Sequence, residues 1–326
     1  MRVFSGIRPT GKLHIGNYLG SIKEWVKLQK KYECFFCIVD YHAITTPFKA
    51  EEIKEDIFET LITYLIAGVD PGKSTIFLQS QIKEHTELSW ILGTITPVGE
   101  LKRMTQFKEK SKKHKDYVNC GLFNYPLLMA ADILLYKTDL VPVGKDQVQH
   151  LELTREIARR FNKMFGEVFK VPKIYLSKAE KIMSLKNPKK KMSKTDDPEG
   201  CIFLSDEPEI IKRKVMRAVT DSGKEIKYDP RRKPGISNLI LIYSFFSGKE
   251  IKKIEREFKG KGYKEFKQKV GKVLSESLEV FRRKRKSLLK RKIYLKEILE
   301  KGKKKAEKIA RETMKEIKEK MGFWLN

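Results

Sequence analysis

The sequence predicts an α/β protein with a doubly wound, parallel, Rossmann-like sheet followed by a helical C-terminal domain. Up to residue 176, short apolar segments without polar alternation take turns with helical patterns, as in parallel sheets that helices cover on both faces. Polar turns rich in glycine follow the first and fourth apolar segments. From about residue 206 the pattern is helical, with breaks near 230–235 and 260–262.

The first turn, residues 5–20, is the feature around which the chain is organised. A strand at Arg2–Gly6 leads into it, and an amphipathic helix leaves it. Its glycines and its proline let a ligand lie against bare backbone, and the first N–H groups of the helix form an anion site. The residues alone leave two readings open, an ordinary strand–helix turn or a ligand site flanked by His14 and Asn17.

The later elements follow from periodicity. Long helices are predicted at 51–67, at 125–136 and from 148 to about 162, and the lysine-rich segment 108–117 is predicted to be an exposed loop. Cys34 and Cys37 form a C-x-x-C inside a buried strand, where residues three apart face opposite ways, so we do not expect metal or redox chemistry there. Further strands are predicted at Cys34–Val39, Thr75–Leu78, Asp139–Val143 and Lys173–Leu176.

Two acidic residues have both a structural and a functional reading. Asp132 lies in the middle of an apolar helix, and a buried carboxylate needs a donor, either from the protein or from a ligand N–H. Asp146 lies where it could cap the helix that follows, or it could contact a ligand together with Gln147. Ligands of open α/β sheets bind at the carboxyl ends of the strands where the winding reverses, so we expect the turns 5–20 and 144–147 to face each other there.

Charge and composition limit the class of protein. Lys and Arg exceed Asp and Glu by 28, and residues 251–326 hold 27 basic against 11 acidic side chains. Such an excess favours a polyanionic partner, most simply nucleic acid, over a heat-adapted surface. No apolar stretch is long enough for a membrane span, the N-terminus lacks a secretory pattern, and four scattered cysteines fit a reducing cytoplasm.

Three motifs in order carry a resemblance to a known family. His-Ile-Gly-Asn at 14–17, Gly-Lys-Asp-Gln at 144–147 and Lys-Met-Ser-Lys-Thr at 191–195 resemble those of class I aminoacyl-tRNA synthetases. The similarity to the bacterial type of tryptophanyl-tRNA synthetase spans nearly the whole chain and includes the segments 37–45, 104–111, 129–132, 147–155, 218–221 and 234–239.

The resemblance implies that ATP activates tryptophan and that the adenylate then esterifies the terminal adenosine of tRNA(Trp). Mg²⁺ would be bound through the ATP phosphates, without a protein-held metal site. The catalytic residues implied are His14, Asn17, Lys110, Lys191 and Lys194. The ATP site implied comprises Arg8, Pro9, Thr10, Gly16, Asn17, Gly144, Lys145, Asp146, Ile182, Lys191, Met192, Ser193, Lys194 and Thr195.

For tryptophan, the resemblance implies that Asp132 accepts the indole N–H. The other tryptophan contacts implied are Phe4, Val39, His42, Tyr125, Met129, Val141, Val143 and Gln147. Arg8 departs from the family, where glutamine is expected, and Asn17 and Thr195 depart from the full motifs. The resemblance further implies a cytoplasmic homodimer with a nucleotide- and tryptophan-binding domain (1–190) and a mobile loop plus basic anticodon-binding domain (191–326).

Other functions fit parts of the same pattern. Tyrosine activation on the same fold is opposed by Asp132 and Met129. A non-acylating RNA-binding paralogue is opposed by the lysines of both phosphate-binding segments. A nucleotidyltransferase acting on a small cofactor would not need the basic helical region.

Overall fold

A five-stranded parallel sheet forms the centre of the amino-terminal half. The structure is a computed structural model that describes residues 1–113, 115–176, 181–194 and 197–324. The strand order is β3-β2-β1-β4-β5, so the winding reverses between β1 and β4, as predicted. The strands are β1 (Arg2–Ile7), β2 (Glu33–Ile38), β3 (Ser74–Leu78), β4 (Leu140–Val143) and β5 (Lys173–Leu176).

Side chains that alternate along the strands enter two separate hydrophobic clusters, one on each face of the sheet. The front cluster contains Phe4 and Phe35, and the back cluster contains Val3 and Phe36. In β2 this alternation sends Cys37 to the front and Cys34 to the back, as the strand reading of the C-x-x-C predicts. Burial on both faces explains why the strands are apolar without alternation.

Helices surround the sheet and supply the site. In the amino-terminal half they are α1 (Ile15–Asn17), α2 (Lys23–Leu28), α3 (Asp40–Ala43), α4 (Ala50–Ile66), α5 (Glu84–Thr94), α6 (Val98–Lys102), α7 (Thr105–Lys113), α8 (Cys120–Leu134) and α9 (Val148–Phe165). Those that follow are α10 (Pro208–Met216), α11 (Pro234–Ser247), α12 (Ile251–Glu257), α13 (Tyr263–Leu289) and α14 (Lys292–Met321). None of the helices in the described ranges is both long and apolar enough to cross a membrane.

Two predicted elements were wrong in detail. The segment predicted as an exposed loop at 108–117 is helical as far as Lys113, because lysine favours helices and Phe107 packs against the front cluster. The single helix predicted after the first turn is divided, since a π-helical turn at Tyr18–Ile22 separates α1 from α2. Such turns widen a helix locally and are common next to functional sites.

The C-terminal helices pack in two different places. A third cluster joins α10, α11 and α13 and includes Ile15, Leu19 and Ile182, so these helices support the first turn. The last helix, α14, instead returns to the sheet. Its first half enters the back cluster through Leu295, Ile298 and Leu299, and its second half enters the front cluster through Ala306, Ala310, Met314 and Ile317.

Candidate active site

The turn after β1 begins α1 with a reciprocal pair of hydrogen bonds. The backbone N–H of Asn17 donates to Nδ1 of His14 over 3.3 Å, and the backbone N–H of His14 donates to Oδ1 of Asn17 over 3.1 Å. Burial, Lys194 and Lys191 lower the pKa of His14 to about 3. The imidazole is therefore neutral at pH 7, and because Nδ1 accepts a hydrogen bond, the proton lies on Nε2.

Gly16 is required by the same turn. A Cβ atom at this position would lie 2.9 Å from the His14 ring, which is closer than real Cβ contacts, and 3.7 Å from Cβ of Ile182. Pro9 and Ile182 are buried, while Arg8, Thr10 and Asn17 are partly exposed. The motif thus leaves backbone accessible next to a neutral, fixed histidine.

Three cations from three segments meet at this turn, and we call them the cation cluster: Arg8, Lys110 and Lys194. Nζ of Lys110 lies 4.4 Å from the centre of the Tyr125 ring. Nζ of Lys194 donates to the carbonyl oxygen of Gly11 over 3.1 Å. Burial and the charge of Arg8 lower the pKa of both lysines to about 8. An anion that bound here would relieve this repulsion.

The segment that follows Lys194 is joined to the first turn by backbone hydrogen bonds. Ile15 N donates to Ile202 O over 2.9 Å, and Leu204 N donates to Leu13 O over 3.1 Å. Met192 N donates to Ile182 O over 3.0 Å. The side chain of Met192 is buried in the third cluster, whereas Lys191 is exposed and Ser193 partly exposed. Thr195 lies outside the described residues.

The turn after β4 faces the same space. Gly144 precedes a short 3₁₀ turn at Lys145–Gln147, which leads into α9. One interpretation of the sequence made Asp146 the cap of α9, but its side chain does not cap that helix. Its carboxylate instead accepts from Nε2 of Gln147 over 3.1 Å. Burial raises the pKa of Asp146, but the Gln147 hydrogen bond and the charge of Lys191 outweigh it and lower the pKa overall. Lys191 acts on both Asp146 and His14, so the two turns border one crevice.

Asp132 is fully enclosed on the front face of the sheet, with 2% of its surface exposed. It accepts from Nε2 of His42 over 2.8 Å, from Nε2 of Gln79 over 2.7 Å and from Nδ1 of His85 over 2.6 Å. Burial raises the pKa of Asp132, but these hydrogen bonds and the two histidines lower it to about 2. The protein thus supplies the donors that a buried carboxylate requires.

Tyr125 connects the cation cluster with Asp132. Its ring contacts Lys110 on one side, and its centre lies 6.2 Å from that of His42, which bonds Asp132. Its hydroxyl pairs with Nε2 of His150 over 2.7 Å. The remaining side chains predicted for the tryptophan site include the buried Phe4, Val39, Val141 and Val143, with Met129 packed against their cluster and Gln147 partly exposed.

Several residues of this region were not identified from the sequence. Gln79 and His85 bond Asp132, His150 bonds Tyr125, and Asp56 on α4 faces Lys194. Asn238 on α11 holds both backbone groups of Met183, next to Ile182. The one available signal was the need of Asp132 for a donor, which predicts that partners exist but not which ones.

Fold and site together define a class of nucleotide-binding synthetase. The sequence model of the family described as tRNA synthetases class I (W and Y) matches residues 1–279. The chain therefore belongs to this family.

Comparison with individual relatives narrows the similarity from the family to its tryptophan-specific members. The chain is 51% identical to the tryptophan–tRNA ligase of Caldanaerobacter subterraneus subsp. tengcongensis, covering 99% of both chains. It resembles the crystal structure of tryptophanyl-tRNA synthetase from Mycoplasma pneumoniae with a TM-score of 0.90 at 34% identity, covering 99% and 98% of the two chains. It also resembles the enzyme from Campylobacter jejuni complexed with ADP and tryptophan, with a TM-score of 0.85 at 38% identity, covering 99% and 100%.

Proposed function

We propose that this chain is a tryptophan–tRNA ligase. It activates L-tryptophan with ATP to give tryptophanyl-adenylate and pyrophosphate, then transfers tryptophan to the 3′-terminal adenosine of tRNA(Trp). The observation that carries this proposal is the position of Tyr125 between Lys110 and His42. A site for a polyanion and a site for an aromatic side chain with one donor thereby border the same crevice.

In the activation step the tryptophan carboxylate attacks the α-phosphorus of ATP in line, and pyrophosphate leaves. The chain contributes alignment of the reactants and stabilisation of charge, which account for most of the catalysis of such transfers. The cation cluster, with Lys191, supplies positive charge where negative charge moves onto the leaving pyrophosphate. The neutral His14 donates from Nε2 and adds a hydrogen bond without repelling the cluster.

The loop lysine Lys194 has a resting position that ATP can use. In this structure its ammonium is held by the Gly11 carbonyl and faces Asp56. Phosphate oxygens are stronger partners for an ammonium than a neutral carbonyl is. We infer that Lys194 exchanges this contact for the triphosphate and that Lys191, which lies near Asp146, approaches with it.

Mg²⁺ accompanies ATP in this proposal. The side chains that gather at the phosphate end are mainly cations, which do not ligate metal ions, and Asp56 beside Lys194 is a single carboxylate. The ion therefore fits as one bound through phosphate oxygens. It would neutralise phosphate charge. The residues of the chain position the nucleotide itself: Gly144, Lys145 and Asp146 at the ribose, and Ile182 at the adenine.

Tryptophan recognition is assigned to the front face of the sheet. Asp132 would accept the indole N–H, the apolar side chains with Met129 would enclose the ring, and Gln147 with Tyr125 would hold the amino end. A buried hydrogen-bonding partner rejects analogues that lack the donor far better than an apolar slot does. The Campylobacter relative, which was crystallised with ADP and tryptophan, supports this pairing of ligands.

Three further assignments complete the proposal. Residues 191–326 would bind the anticodon arm, a role that the basic excess of 251–326 supports. In space, α14 belongs with the sheet, so this role falls mainly on α10 to α13. A homodimer and a cytoplasmic location, where the four free thiols are stable, are inferred as well.

ATP–pyrophosphate exchange tests the proposal directly. Purified protein is assayed with tryptophan, with tyrosine and without amino acid, followed by acylation of tRNA(Trp). Exchange that depends on tryptophan alone is expected. Exchange driven by tyrosine would reassign the substrate, and tRNA binding without exchange would indicate a non-acylating RNA-binding protein.

A further inference from the structure

The carboxylate of Asp132 is held by donors from three separate segments. His42 belongs to α3, Gln79 begins the turn after β3, and His85 lies on α5. Gln79 and His85 both bond Oδ1, whereas His42 bonds Oδ2. All three donors are buried, and His85 has no exposed surface.

The direction of each hydrogen bond follows from the chemistry of the groups. An ionised carboxylate can only accept, so Nδ1 of His85 carries the proton and donates. In a neutral imidazole Nε2 must then accept, and its partner at 2.8 Å is the hydroxyl of Tyr136. Tyr136 is itself fixed, because its ring stacks on Phe4 and Phe35 with centres 5.6 and 5.2 Å apart.

Counting acceptor positions shows what remains for a ligand. The two oxygens of a carboxylate offer about four positions. Gln79 and His85 occupy both positions on Oδ1, and His42 occupies one on Oδ2. One acceptor position on Oδ2 therefore remains.

We propose that His85, oriented by Tyr136, is a positioning residue for substrate selection: with Gln79 it saturates Oδ1 and leaves Oδ2 to receive one ring N–H. The inference rests on the proposed function and deepens it. A ring with oxygen or sulfur in place of N–H would bring a lone pair against a carboxylate that has no proton to share. By saturating Oδ1, His85 and Gln79 thus favour indole over rings of the same shape that lack the N–H.

Among the residues that the structure describes, few titratable groups lie around Asp132. His42 and His85 bond it directly, and Cys37 from β2 and Tyr136 face it. Glu84, the neighbour of His85 on α5, faces Tyr136 as well. Of these, His85 is the one that connects Asp132 to a second buried side chain, Tyr136, by hydrogen bonds.

The test compares tryptophan with β-(3-benzothienyl)alanine, in which sulfur replaces the ring N–H, by ATP–pyrophosphate exchange. His85→Leu removes the donor, and His85→Asn retains one near the position of Nδ1. We expect His85→Leu to raise KM for tryptophan about 10- to 100-fold with a smaller change in kcat. The analogue should be affected little, so the preference for tryptophan collapses, while His85→Asn recovers most of it.

Two readouts separate positioning from mere support: the effect of His85→Leu falls on KM for tryptophan more than on kcat, and it is much smaller for the analogue, which has no ring N–H. Tyr136→Phe, which removes only the hydroxyl, should reduce the preference in the same direction by a smaller factor.

Two outcomes would overturn the inference. One is a His85→Leu protein that loses activity with both substrates equally. The other, which applies even if that variant does not fold, is an unchanged preference in Tyr136→Phe. Failure of the proposed function is distinguishable, since wild-type protein would then show no tryptophan-dependent exchange at all.

Discussion

The backbone of Gly302 packs directly on the backbone of Ile76. A Cβ atom at residue 302 would lie 1.8 Å from the carbonyl oxygen of Ile76 and 2.6 Å from its carbonyl carbon. Ile76 belongs to β3, which lies at one edge of the sheet. At this contact α14 passes from the back cluster to the front cluster, so it covers a strand edge that would otherwise be open to pairing with other chains.

Gly302→Ala should therefore destabilise the protein although alanine favours helices. Neither backbone can move aside by a side-chain rotation, so the cost of overpacking, at least about 2 kcal/mol, should exceed the helix-propensity gain of about 1 kcal/mol. Urea unfolding followed by circular dichroism measures the difference in free energy. Lys304→Ala, an exposed change on the same helix, is the control, and equal stability of the two variants would contradict the prediction.

The path of α14 could not be predicted from sequence, and the reason is general. Its apolar pattern identifies a helix with a buried face, but the surface it packs on is more than 200 residues away in the chain. Gly302 looks like an ordinary helix-weakening glycine until Ile76 is known to lie against it. Patterns of local period predict elements, whereas the packing partners of those elements depend on tertiary structure.

The strands and the site show the same contrast between what local sequence patterns predict and what depends on tertiary structure. β2 and β3 could be predicted because burial on both faces imposes an apolar run, and the turns at 14–17 and 144–147 because of their polar and glycine residues. For Asp132 the sequence predicted only that a donor must exist. Gln79 and His85 lie 53 and 47 residues away from it, and nothing in their own surroundings marks them. The lysines of α7 misled the loop prediction, since exposed charge is compatible with a helix.

Asp132→Asn should lower tryptophan-dependent exchange about 100-fold or more through kcat/KM, because an amide cannot accept from all three donors and from the indole as well. Because three buried donors then compete for one oxygen, a loss of stability of about 2 to 4 kcal/mol is also expected. Exchange assays and thermal unfolding report the two effects. Asp139→Asn, which immediately precedes β4 at the end away from the turn 144–147, is the control for exchange. Unchanged exchange in Asp132→Asn would make Asp132 a purely structural carboxylate.

ATP binding should weaken as pH rises above 8. Before ATP binds, the pKa of Lys110 and of Lys194 is about 8, lowered from 10.5, so both charges are present below pH 8 and are lost above it. Bound phosphates favour the charged forms and raise these pKa values, so binding takes up protons between about pH 8 and pH 10. Calorimetry in two buffers of different ionisation enthalpy at pH 8.5 measures the uptake. Lys194→Arg, which stays charged, should reduce it by about half, and an affinity that is constant up to pH 9.5 would refute the prediction.

Arg8→Gln should move this pH dependence to higher pH. The charge of Arg8 is the second cause, after burial, of the lowered pKa of both lysines, so its removal raises both values in part. At pH 7 the same change should weaken ATP binding, since one cation of the cluster is gone. The affinity for ATP, measured from pH 7 to 9.5, gives both effects. At pH 7 Arg8→Lys keeps the charge and should bind ATP like wild type, whereas a pH profile of Arg8→Gln identical to that of wild type would exclude repulsion within the cluster as the cause.

The affinity for tRNA should fall steeply with salt if the basic helices contact phosphates. Each phosphate contact contributes a slope of about −0.7 to −0.9 in a plot of log affinity against log salt. Lys252 and Lys253 are exposed on α12, away from the sheet, and their joint replacement by Gln should reduce the slope by up to about 1.8. Lys301 and Lys304 are also exposed, but they lie on α14, which packs on the sheet, and their replacement should leave the slope unchanged. Filter binding of tRNA(Trp) from 50 to about 300 mM KCl, the range over which such contacts show, compares the two pairs of lysines. A flat salt response in wild type would mean that the positive charge is a property of the surface and does not bind tRNA phosphates. An effect confined to the α14 pair would place the tRNA on the sheet side of the molecule.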